Sequence, residues 1–220
     1  MTRETLIQRT KSGGRPTLQE SEERLQRLLG VAQHHFLTAG YRETSLEGIA
    51  REAGIAKKTL YDRFGSKAGL FSTIIETLRR SWIAQLSDIV LDSGQPEYVL
   101  EQVALHLLDV GTRPDMIELH RLLLIEAHRF PELIRGYYDK QGGLRGMEPL
   151  SDYLRAAVAD GSLKLDGVVF ASEQFLHLVL GGVRARLLLG ASKRRPSASE
   201  RSNIARQAVR IFLTGCKAGE

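Results

Sequence analysis

One cysteine, Cys216, stands in 220 residues. A lone thiol excludes an internal disulfide and fits a reducing compartment. Aromatic residues are scarce, at 6% of the chain, and no segment alternates apolar with polar residues over a strand's length, so an all-α fold is expected. Long apolar runs are missing too. The most apolar stretch, Phe175 to Gly190, is interrupted by His177, Arg184 and Arg186, which excludes a membrane span there. Leu6-Ile7 is too short for the apolar centre of a secretion signal, and a cytoplasmic location is the expectation. The constellations of enzyme sites are also absent. There is no phosphate-loop Gly-Lys-Ser/Thr, no Gly-x-Ser-x-Gly elbow and no Cys/His metal spacing. His120 and His128 are eight apart with Glu126 between them, unlike a zinc pair four apart on a helix. Asp152, Asp160 and Asp166 are scattered. The expectation is a non-enzyme that holds neither metal nor cofactor.

Two features are present in strength. At 42% hydrophobic, the chain can bury a sizeable core in one or two domains. Its net charge of +5 is unevenly laid out: residues 1–67 carry 12 Lys/Arg against 8 Asp/Glu, residues 68–183 carry 10 against 16, and residues 184–220 carry 9 against 2. An acidic middle repels nucleic acid, whereas a basic N-terminal part attracts phosphate. Lys193-Arg194-Arg195 reads as a solvated loop.

The stretch from Thr44 to Phe64 reads as two short helices joined by a tight turn. Thr44 can cap the first with its hydroxyl, and Glu47 can reach back to close a capping box. Leu46, Ile49, Ala50 and Ala53 recur at helical spacing. Gly54 falls where a helix ends in a left-handed residue, and Ile55 can plug the angle between the helices. The second helix, from about Lys57, buries Leu60 and Phe64 and leaves Lys57, Lys58, Thr59, Tyr61 and Asp62 outside. A sparsely apolar, basic second helix of this kind suits the DNA major groove. An ordinary helical hairpin with a solvated face has the same local pattern. Upstream, Thr17-Leu-Gln-Glu20 offers another capping box before the stripe Leu25, Leu28, Leu29, Ala32, Phe36 and Leu37. Downstream, Ser66 caps a further helix carrying Leu70, Phe71, Ile74, Ile75 and Leu78.

Over residues 17–75 the chain resembles the TetR family of bacterial one-component transcription regulators. The resemblance is carried by Phe36-Leu37-Thr38-Ala39-Gly40-Tyr41, Thr44-Ser45, Ile49-Ala50, Ala53-Gly54-Ile55, Thr59-Leu60-Tyr61, Phe64, Ser66-Lys67 and Leu70-Phe71. Glu126-Ala-His-Arg-Phe-Pro-Glu-Leu133, with Gln174-Phe-Leu-His177 and Gly181-Gly182, looks like the AefR-like subgroup. The resemblance implies an N-terminal three-helix DNA-binding domain over residues 17–67, preceded by a basic arm over 1–16 and followed by a helical ligand-binding and dimerisation domain over 68–220. It also implies residue roles. Thr44 and Ser45 would contact phosphate, Lys57 to Phe64 would enter the groove with Lys57, Lys58 and Thr59 outward, and Tyr61 and Lys67 would meet the DNA backbone. Two departures stand out. Ala56 replaces the family's usual serine cap, at a typical cost of about 1 kcal/mol. Lys58 and Asp62-Arg63 differ from the family pattern, so base preference does not transfer.

Gly14-Arg15-Pro16 resembles a minor-groove-binding arm, in which Arg15 would enter the groove; a flexible tail that merely adds charge has the same composition. Towards the C-terminus, Phe175, Leu178, Val179, Gly182 and Arg186 on one helix and Ile204, Ala208, Ile211 and Phe212 on the last suggest a four-helix homodimer interface, and with it a palindromic operator on double-stranded DNA. A pocket is expected between the fourth helix and the long penultimate one. Trp82, His106, His120, His128, Tyr137, Phe175 and His177 are the aromatic or polar-tipped residues of that region, and they suit a small, mostly apolar or aromatic effector with one or two hydrogen bonds. The resulting expectation is an effector-responsive regulator, a repressor released by its ligand. The alternative is a DNA-binding protein whose C-terminal half is a platform for a protein partner. A cavity favours the first and an exposed apolar groove the second.

Overall fold

The structure is a computed structural model that describes residues 18–91, 95–134 and 144–216. Arg15, Thr17 and Tyr137 lie outside these, as do the expected arm and the capping box at Thr17. The described residues contain nine α-helices and no strand: α1 (Leu18–Glu43), α2 (Leu46–Ala53), α3 (Lys57–Phe64), α4 (Lys67–Leu91), α5 (Pro96–Gly111), α6 (Pro114–Glu126), α7 (Glu148–Ala159), α8 (Val168–Leu188) and α9 (Ala198–Cys216). A single 3-10 turn, Pro131–Ile134, follows α6. The helix starts have local causes. Proline occupies the first turn of α5, α6 and α7, where its missing N–H leaves no intrahelical bond unmade. Gly40 breaks α1 near its end with φ 82° and ψ 167°, so Tyr41 turns back into the core. Pro131 opens the 3-10 turn, and residues 135–143 lie outside the described residues.

Two apolar cores form. The N-terminal one holds Phe36 and Tyr41 of α1, Ile49 of α2, Leu60 of α3, and Leu70, Phe71 and Ile74 of α4. Phe71 packs edge-on against both Phe36 and Tyr41, with centroids 5.2 and 5.7 Å away. Leu119, Leu122 and Leu123 of α6 and Leu133 of the 3-10 turn belong to this same core. The C-terminal core gathers α5, α7, α8, α9 and the second half of α4, around Leu86, Leu107, Leu154 and Phe175. At 25 residues, α4 is about 37 Å long and runs through both.

The stripes expected for a dimer divide differently. Phe175 and Val179 point into their own chain's core, as do Ala208 and Phe212, because α5 lies against both α8 and α9. Leu178 and Ile211 stay outside, 39% and 56% exposed, with Gly182 and Arg186. The basic loop after α8 is not simply solvated. Arg195 donates to the Asp109 carbonyl at 2.7 Å and to its carboxylate at 3.0 Å, and Arg194 forms a two-pronged pair with Glu200.

The start of α4 fastens the N-terminal unit. Lys67 Nζ donates to the carbonyls of Tyr41 at 2.8 Å, Arg42 at 3.0 Å and Thr44 at 3.1 Å, and sits 4.7 Å over the Tyr41 ring. An ammonium has three protons, and this geometry commits all of them to the end of α1 and the turn into α2. Lys67→Met keeps the stem and removes the clasp. It is expected to lower unfolding free energy by about 2 kcal/mol, read as a lower urea midpoint at unchanged slope.

Candidate nucleic-acid interface and ligand cavity

Ser45, not Thr44, caps α2. Ser45 is extended (φ −108°, ψ 139°) and its Oγ accepts from Gly48 N at 3.1 Å. Thr44 is 3% exposed, and its hydroxyl donates to the carbonyls of Gly40 at 2.7 Å and His35 at 3.0 Å. The break at Gly40 leaves the Gly40 carbonyl in need of a donor, and Thr44 supplies one. The expected capping box therefore does not form. Glu47 instead pairs with Lys57 Nζ across the turn, and that contact holds its carboxyl below the usual range and the Lys57 ammonium above it. Gly54 is left-handed (φ 67°, ψ 35°), and Ile55 N reaches back to the Ala50 carbonyl at 3.0 Å, closing the end of α2.

α3 starts at Ala56 with no side-chain cap, as its sequence implies. Leu60 is its one fully buried side chain, and Phe64 is half-buried. Lys57, Lys58, Thr59, Tyr61, Asp62 and Arg63 are exposed along its outer side. Lys57 Nζ also stands 5.6 Å over the Tyr61 ring. Of the residues picked out for DNA contact, Ser45, Lys57, Lys58, Thr59 and Tyr61 share this open surface. Thr44 has its hydroxyl turned inward, and Lys67 has its ammonium on protein carbonyls, so only its charge is on offer to phosphate.

A cavity of about 170 Å³ lies between α4, α5, α6, α8 and the turn at 144–147. Trp82 forms part of its wall and donates from Nε1 to the Gly146 carbonyl at 3.0 Å. His106 packs at a tilt against Trp82, with ring centroids 5.1 Å apart, one layer back from the cavity; burial pushes its imidazole down, and its Nε2 has no hydrogen-bond partner among the described residues. The other expected ligand contacts sit elsewhere. Phe175 packs on Phe212 in the core, His128 is exposed beyond the end of α6, and His177 is on the outer face of α8.

The polar end of the cavity is Arg184 and His120, whose Nη1 and Nε2 are 3.0 Å apart. Burial and the nearby guanidinium push His120 down to about 4, against the opposing pull of a bond to the Met116 backbone. His120 is therefore neutral, protonated on the nitrogen facing Met116 and accepting from Arg184 with the other. Arg184 was visible in the sequence as a charge inside the most apolar stretch, a signal that points to a polar pocket as readily as to a broken membrane span.

The chain is similar to several known proteins. Residues 28–74 match the family described as bacterial regulatory proteins, tetR family, and residues 98–215 match the AefR-like transcriptional repressor, C-terminal domain. A curated relative, the HTH-type transcriptional regulator AcrR of Shigella flexneri, is 36% identical over 115 residues, covering 51% of each chain. The match thus spans about half of that relative's length. The crystal structure of a TetR-family transcriptional regulator from Mesorhizobium loti superposes with a TM-score of 0.77 at 23% identity, over 90% of this chain and 98% of that one. The flavonoid-responsive regulator FrrA superposes at 0.66 with 26% identity, over 90% and 100%.

His120 makes a pH prediction. An unfolded histidine titrates near 6.5 and this one near 4, so the unfolded chain takes the proton first and stability falls as pH drops through that window. In His120→Gln, which keeps an acceptor for Arg184, the stability lost between about pH 7 and about pH 4.5 shrinks by about 2 kcal/mol. Urea unfolding of both proteins at the two pH values measures it; the depressed His106 contributes to both and cancels.

Proposed function

The chain belongs to the TetR family of transcriptional regulators, a family of regulators and not of enzymes, and from that premise we propose that it acts in the cytoplasm as a homodimeric repressor of a palindromic operator, released by a small effector. The observation that carries the DNA-binding reading is α3. It buries one side chain completely and presents Lys57, Lys58, Thr59 and Tyr61 together on an open, basic side. Such a helix gains little from packing outward on protein and much from phosphate and base edges. Ser45 at the start of α2 adds a short donor beside it. Arg15 and the preceding residues would extend the contact into the adjacent minor groove.

Leu178, Gly182 and Ile211 support a dimer built on the outer faces of α8 and α9. They form an apolar and partly small-residue surface that a second copy can cover. A two-fold axis through such an interface relates two copies of α3, which then read mirrored half-sites. The cavity supports an effector in preference to a protein partner, and a structural neighbour, FrrA, is named as a flavonoid-responsive regulator. The route between the two sites is short. Ile75, Leu78, Met116 and Leu119 line the cavity and also pack in the N-terminal core. An effector that fits better when α6 has shifted would favour a dimer whose recognition helices are mis-spaced, by as much as its affinity differs between the two states.

Selection from a random DNA pool is expected to return a palindrome, and light scattering at micromolar concentration a dimer. A strictly monomeric protein, or one that binds every duplex equally in dilute buffer, contradicts the proposal. Lys58→Ala and Tyr61→Ala should each weaken operator binding about tenfold without lowering the melting temperature. Removing residues 1–14 together with Arg15→Ala should cost about as much.

A further inference from the structure

We propose that Asp62 is a base-reading residue: at the apex of α3 its carboxylate accepts from the N4 amine of a cytosine, one in each half-site. This rests on the DNA-binding reading above and adds which base is read there and by which side chain.

The first argument is direction. Leu60 and Phe64 are the residues that α3 turns towards the N-terminal core. At about 100° per residue, Asp62 points about 180° from the midpoint of that pair, straight out of the fold. Lys58 stands about 40° to one side of it and Thr59 about 60° to the other. Tyr61 and Arg63 flank it more widely, at about 100° each. A helix laid in a groove about 12 Å wide turns its apex to the base edges and its flanks to the two phosphate rims. The flanks of α3 suit such rims, with a phenol on one side and a guanidinium on the other. The apex is an acid.

The second argument is that the fold makes no use of this acid. Asp62 is exposed and has no hydrogen bond or ion pair among the described residues, although Lys58 lies one turn before it and Arg63 next to it. Glu47, by contrast, is tied to Lys57. Aspartate is a weak helix former, and in the last turn of a helix it meets the negative end of the dipole. Neither preference places Asp62 where it is, and what it serves lies outside the chain.

The third argument is chemistry. A carboxylate only accepts hydrogen bonds, and phosphate repels it. In the major groove guanine shows two acceptors, and thymine an acceptor and a methyl group. Adenine shows a donor beside an acceptor. Cytosine shows a donor and no acceptor on its own edge, which is what a lone carboxylate matches.

Random duplex pools are selected with the full-length protein, with Asp62→Ala and with Asp62→Asn. The unaltered protein is expected to return a palindrome with a cytosine fixed at one position of each half-site. Asp62→Ala should shrink the preference at that position alone by about tenfold. Asp62→Asn should move it towards adenine, whose N6 and N7 an amide matches. An operator with N4-methylcytosine at that position keeps its pairing but loses the groove-side proton. It should bind the unaltered protein about tenfold more weakly and Asp62→Ala unchanged. Asp62→Ala should also hold random duplex more tightly than the unaltered protein does, because a negative charge has left the contact. Neither variant should melt at a lower temperature; if both do, Asp62 serves the fold and the assignment is overturned. It is overturned as well by a palindrome without a fixed cytosine, by an Asp62→Ala pool that matches the original at every position or loses preference at all positions alike, or by indifference to the N4-methyl group. Each of those results leaves the DNA-binding reading in place. A protein that selects no preferred sequence at all removes that reading, and the assignment with it.

Discussion

The middle of α4 and the body of α6 belong to two interiors at once, and the rest of the molecule is arranged around that constraint. Met116 and Leu119 face the cavity on one side and the helices of the N-terminal unit on the other, and Ile75 and Leu78 do the same from α4. Protein interiors are packed too densely for such residues to move independently of either neighbour. Four turns of helix therefore do the work of a linker, and they do it without slack. The far end of α6 meets the break in α1, where Glu126 Oε1 lies 3.8 Å from the position a Cβ would take at Gly40. The other oxygen of that carboxylate is buried and lacks a hydrogen-bond partner among the described residues. An unsatisfied acceptor at a joint lowers the cost of leaving the arrangement, because any shift that admits water relieves it.

Polar staples act beside the apolar core in the N-terminal unit. α3 has eight residues and one fully buried side chain, far short of what an isolated helix needs. Its direction is imposed by neighbours: by the closed end of α2 at Gly54, by the Glu47–Lys57 pair across the turn, and by Leu60 in the shared core. Behind these, Lys67 and Thr44 satisfy carbonyls that the break in α1 would otherwise leave open. Apart from Lys57, the side of α3 that faces solvent is thereby spared structural duty, and its residue types are free to be chosen for a partner.

What could be read from the chain alone follows from how local each cause is. Pro96, Pro114 and Gly54 mark helix ends through their own backbone chemistry and Ser66 through its hydroxyl, and the ends fall there. The exposed side of α3 was legible for a similar reason, since one apolar residue per turn can bury only one side. Thr44 and Ser45 could not be told apart, because either hydroxyl can cap a helix. The choice is made by carbonyls of α1 that come close only once the chain has folded. The cavity was half legible. Trp82 was identified as a wall residue, but Phe175 and His177 lie on the same helix as Arg184, and periodicity cannot say which stretch of an apolar side meets a gap and which meets α9. His106 and His120 were both in view; burial beside Trp82 and beside Arg184 separates them, and neither contact has a signature at fixed spacing in the chain.

The Glu47–Lys57 pair has a consequence for how such a protein finds its place on a chromosome. A recognition helix whose first lysine already holds a carboxylate offers less bare charge to whatever stretch of duplex it meets first. If Lys57 meets phosphate as proposed, the phosphate would compete with Glu47 for it, and a sequence that contributes further contacts would best repay that exchange. On that reading, residence on the wrong sites would shorten, and the time spent sliding and hopping between encounters would depend on one acidic side chain that need not itself touch a base.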